Sequence, residues 1–88
     1  MNAFSKPINI RPDLVKVIHG RKGQPKEFVE YIPYNHYLRY VAQKSGDWFF
    51  VFEIEPGKRG SVRTLCSFPS ADSAAHQAHD IALQKSFE

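Results

Sequence analysis

The residues of this 88-residue chain best suited to metal or nucleophilic chemistry are four histidines and a single cysteine. His76 and His79 stand three apart, one turn of a helix, with Asp80 adjacent. A zinc site needs three or four converging ligands, and His19 and His36 are far away along the chain. The spacing therefore reads as ordinary surface histidines. Cys66 beside a histidine would make a nucleophile pair, but it falls in the middle of an apolar strand-like stretch and reads as a buried structural thiol. With one cysteine, neither an internal disulfide nor a multi-cysteine zinc site is available, and a reducing cytoplasm is the natural setting. The expectation is a protein without catalytic residues, bound metal or cofactor.

Charge points elsewhere. The chain carries a net +3, and residues 1–26 alone account for about +5 by count, whereas 69–88 come to about −2. Arg21, Lys22 and Lys26 lie in one glycine- and proline-punctuated stretch, in which Gly20-x-x-Gly23 reads as a hairpin loop. Lys58 and Arg59 lie in a second such stretch, followed by Arg63. Basic loops of this kind meet phosphates or an acidic protein surface. The aromatic share of 14% supplies rings that either stack on bases or build a core. Tyr34, Tyr37 and Tyr40 are the rings that read as a candidate surface.

These residues must be carried by a small α+β domain. Apolar and β-branched runs bounded by Gly and Pro predict an antiparallel sheet of three to five strands, at about 14–18, 27–32, 37–43, 47–55 and 61–68. The segment 37–43 also fits a helix capped by Asn35, but its aromatic content and the short connection to Trp48 favour a strand. Ser70 as N-cap and Asp72 in the first turn predict one C-terminal helix over about 71–85, packed on one sheet face. Residues 1–88 read as one domain, with 1–13 as an extended lead-in. No run is long enough to span a membrane, and residues 1–6 show no signal-peptide pattern.

The stretch Trp48 to Phe52 is apolar without a break, so both faces of that strand are greasy. Ala74, Ala78 and Ala82 give the helix a small-residue face, which predicts a seat on the bulky Trp48, Phe50, Phe52 and Ile54. Val62, Thr64, Cys66 and Phe68 would extend that layer. The other face, Phe49 and Val51, then needs a cover. Either residues 1–34 fold back over it with Val15, Val17, Phe28 or Ile32, or another molecule does. Tyr37, Phe49, Val51 and Leu65 are accordingly the candidate interface residues, and a homodimer is one form the interface would take.

Residues 46–84 resemble the three-stranded-sheet-plus-helix module of the AP2-like, arm-site-binding domains of phage-type tyrosine recombinases. The resemblance rests on Gly46-Asp47-Trp48, the Gly57-Lys58-Arg59 turn, and Ser67-Phe68-Pro69-Ser70-Ala71-Asp72 before a helix with Ala74 and Ala78. It implies DNA binding by the sheet face opposite the helix, carried by Phe49, Val51 and Glu53 with Arg63, Leu65 and Ser67 beside them. Two functions are thus expected. The first is nucleic-acid binding through Arg21, Lys22, Lys26, Lys58, Arg59 and Arg63. The alternative is a phage- or plasmid-type protein-interaction factor, an inhibitor or adaptor, that occupies a partner protein's surface.

Overall fold

The structure is a computed structural model that describes residues 4, 8–20, 27–57 and 61–88. Five strands, β1 (Val15–His19), β2 (Phe28–Pro33), β3 (Arg39–Ser45), β4 (Trp48–Ile54) and β5 (Val62–Phe68), precede one helix, α1 (Ala71–Ser86). The strands form a single antiparallel sheet in chain order. The ambiguous segment is a strand, because β3 is the central member and its backbone pairs on both sides.

Local chemistry accounts for the boundaries. Gly46 takes φ +62° between β3 and β4, the arrangement of a two-residue hairpin with glycine first, where a side chain would be strained. Ser70 caps α1 by accepting a hydrogen bond from the Ser73 N–H at 3.2 Å. Asp72 in the first turn and Lys85 in the last complement the helix dipole.

Register decides which side chains share a face. One face carries the rows Val17–Tyr31–Tyr40–Glu53–Arg63 and His19–Val29–Ala42–Val51–Cys66. The other carries Ile18–Glu30–Val41–Phe52–Thr64, Phe28–Gln43–Phe50–Ser67 and Arg39–Ile54–Val62. α1 lies on the first face, over β2, β3 and β4. Its Ala74, Ala75, Ala78 and Ala82 are buried together with Val15, Val29, Tyr31, Tyr40, Ala42 and Val51.

This reverses the expected seat of the helix. Phe49 and Val51 point towards α1, whereas Trp48, Phe50, Phe52 and Ile54 lie on the side it leaves open. The reason is steric. An alanine face gains contact only by close approach, and the row Val29–Ala42–Val51–Cys66 is the lowest ground on the sheet. The Tyr31 and Tyr40 rings pack in the same core beside that row, whereas the adjoining Phe50 and Phe52 of the other face offer an alanine helix no such low row to approach. The expected cover from residues 1–34 is corrected too. Val15 and Val17 are sheet neighbours of the covered face, and Phe28 and Ile32 lie on the opposite side. Phe49 is met by Phe4 from the lead-in, edge to face at 5.6 Å.

β5 also departs from strict alternation. Val51 pairs with Cys66 but Phe52 pairs with Thr64, which leaves Leu65 as a bulge. One extra residue shifts the parity of the strand. Val62 and Thr64 therefore sit on the open face, while Leu65, Cys66 and Phe68 pack towards the core.

Candidate functional site

The open sheet face is built from the side chains that strand parity turns away from α1. Phe50 and Phe52, two apart on β4, stack with ring centroids 6.1 Å apart and planes inclined by 25°. Ile54 follows on the same strand, and Phe28, Val41 and Gln43 lie beside it around a shallow depression that Glu30 also lines. Trp48 at one end is 50% exposed and Val62 at the β5 edge is 57% exposed. The charges here answer one another: Arg39 Nη1 lies 3.5 Å from Glu30 Oε1. What results is an apolar face with an internally paired acid and base, on which Phe28, Phe50, Phe52 and Ile54 are half-buried, Val41 is buried, and Trp48 and Val62 are exposed.

The residues singled out from the sequence fall in different places. Tyr37 is 64% exposed and stacks on His36 at 4.8 Å. Phe49 and Leu65 are half-buried against the core, and Val51 is 0% exposed. Val51 therefore offers no surface to a partner. Of the groove-reading residues that the recombinase resemblance implied, Phe49, Val51, Glu53 and Arg63 occupy the helix-covered face, and of these residues Ser67 lies on the open one. Arg63 is solvent-exposed with its Nη2 3.1 Å from Glu53 Oε1. Arg21, Lys22, Lys26, Lys58 and Arg59 lie outside the described residues. Their described chain neighbours, Gly20 and Glu27 for the first group and Gly57 and Ser61 for the second, stand at opposite ends of the sheet.

His79 is buried rather than a surface histidine. It shares the alanine face of α1, its Nε2 accepts from the Arg11 backbone N–H at 3.2 Å, and its ring meets Tyr31 edge-on at 5.6 Å. Its Nδ1 is buried without a hydrogen bond, 3.5 Å from Asp80 Oδ1. The imidazole thus pins the lead-in to the helix. Nothing in the 76/79 spacing distinguishes this role from a metal pair. The discriminating signal was that position 79 falls between Ala75, Ala78 and Ala82.

On the covered side, the Tyr40 hydroxyl donates to Glu53 Oε2 at 2.9 Å. Burial, with the Glu53 carboxylate second, raises the Tyr40 phenol well above its ordinary value. Burial alone pushes Tyr31 up to about 12. Both phenols keep their protons in the folded chain at a pH where the unfolded chain has lost them. Stability is therefore fully present below about pH 10 and falls as pH rises through about 12, by up to about 1.4 kcal/mol per pH unit for each phenol. A phenolate absorbance titration should show these two tyrosines ionising late or together with unfolding. Tyr31→Phe and Tyr40→Phe assign them, and ordinary titration of all four tyrosines in the native chain would contradict the burial.

With the geometry in place, the chain defines an α+β domain with one helix-covered and one open sheet face. No family model, curated protein or solved structure matches it. Among the described residues no helix is long and apolar enough to cross a membrane.

Proposed function

We propose that this chain is a small non-enzymatic binding protein that recognises another protein surface through the open face of its sheet. The observation that supports this most is the face itself. Phe28, Phe50, Phe52, Ile54 and Val62 form one apolar patch, and its central acid, Glu30, is neutralised by Arg39. Contiguous apolar surface of this kind on a soluble chain marks an interaction site. Phosphate recognition is less well supported. Among the described residues Arg11, Arg39, Arg63 and Lys85 already face carboxylates at 2.9, 3.5, 3.1 and 3.3 Å. A nucleic acid would have to compete with each of those carboxylates.

The nucleic-acid reading keeps one observation in its favour. Trp48, Phe50 and Phe52 present three rings at alternate positions of one strand, the arrangement that stacks bases on a sheet. Salt separates the two readings. Binding of a mixed-sequence oligonucleotide that weakens steeply with salt would overturn the protein-surface reading. Affinity capture followed by direct titration of the purified captured protein tests it from the other side. The double variant Phe50→Ser/Phe52→Ser is expected to lose that binding, whereas Arg63→Glu keeps it. Binding that survives loss of both rings would sink the proposal.

A further inference from the structure

The partner that best fits the open face is a second copy of this chain. We infer a face-to-face dimer, helix–sheet–sheet–helix, in which the two open faces cover each other. This inference rests on the reading of that face as a protein-binding surface.

Three observations carry it. The first is area. Strands lie about 4.8 Å apart and rise about 3.3 Å per residue, so five strands of five to seven residues present a face of about 24 by 20 Å. Two such faces in full contact cover about 960 Å² in all as flat projections, close to the roughly 1,000 Å² of a specific interface, and side-chain relief adds to that. The second is shape. The face is a continuous pleated sheet, which packs best on another sheet, about 10 Å away with interdigitating side chains. The depression over its central strands is shallow and open, so a broad flat surface is a better cover than a small ligand.

The third is charge. A twofold contact brings the middle of the face against its own copy, where like charges would oppose each other. Here the middle is Val41 and Phe52, paired across β3 and β4. Glu30 and Arg39, the nearest charges, cancel within one copy. Lys16 lies on the edge strand, at the margin of the contact. The face is thus compatible with itself. An association of this kind holds or tightens as salt rises, because the net +3 of each copy is screened.

Sedimentation equilibrium of the full chain at tens of micromolar tests the inference. The expected mass is twice 10.1 kDa, retained at high salt. The emission of Trp48, the chain's one tryptophan, should shift to the blue on concentration. Phe52→Glu is expected to raise the dissociation constant about a hundredfold or more, since it buries an unpaired charge at the centre. Val62→Glu, at an exposed position where folding is not at stake, is expected to weaken the dimer with an unchanged circular dichroism spectrum. A monomer at these concentrations overturns the inference. So does a dimer indifferent to both substitutions, which would use another surface. Neither result touches the wider reading, which fails separately if a captured partner still binds the Phe50→Ser/Phe52→Ser variant.

Discussion

Replacing Tyr40 by alanine is expected to cost about 3–5 kcal/mol of stability. The ring is 0% exposed and sits on the central strand beneath α1, beside Tyr31 on one neighbour and Glu53 on the other. Its removal leaves a cavity that the sheet and helix cannot close without moving apart. It also deprives Glu53 of the hydroxyl donor at 2.9 Å, so a half-buried carboxylate is left to Arg63. A domain of this length has roughly 4–13 kcal/mol in all, so the variant is expected to be marginal or unfolded at room temperature. Urea denaturation followed by circular dichroism measures the effect. Tyr40→Phe separates the hydroxyl from the ring and should lose only about 0.5–1.5 kcal/mol. A Tyr40→Ala variant within about 1 kcal/mol of the parent chain would mean that the ring is not the packing element described here.

The second large effect is expected from adding bulk rather than removing it. Ala78→Leu should destabilise the chain by about 1–3 kcal/mol or more. Ala78 is 0% exposed, on the small-residue side of α1 that lies against the row Val29–Ala42–Val51–Cys66. Three further carbons there force the helix off the sheet along its length, so Ala74 and Ala82 lose contact as well. Gln77→Leu places the same leucine side chain one residue earlier, at an exposed position, and is expected to stay within about 0.5 kcal/mol. Equal effects for the two variants in a thermal melt would contradict the close helix–sheet contact.

The contrast between these sites marks what could be read along the chain. β-branched runs, the Gly46-Asp47 turn and the Ser70 cap are local signals, and they placed five strands and one helix within a residue or two of their observed limits. Face assignment did not follow in the same way. Trp48 to Phe52 is apolar at every position, so alternation within β4 carries no preference for either side. Choosing requires the neighbours: Val29, Tyr31, Tyr40 and Ala42 on two other strands share the side of Val51 only once the register is known. The Leu65 bulge was illegible for a related reason, since a period of two assumes that no residue is inserted. His79 was misread because its acceptor role depends on the backbone of Arg11, 68 residues away.

What the chain determined by itself is therefore the inventory: an antiparallel sheet, one capped helix with an alanine face, a single unpaired thiol and an excess of positive charge near the start. These follow from propensities and periodicities that act over a few residues. Only the tertiary structure decided which half of GDWFFVFEIE is core and which is surface. The alanine helix can reach the sheet only over the small row through Ala42 and Val51, so Phe50, Phe52 and Ile54 are left on the far side. The apolar face from which binding is proposed is the consequence of that steric choice.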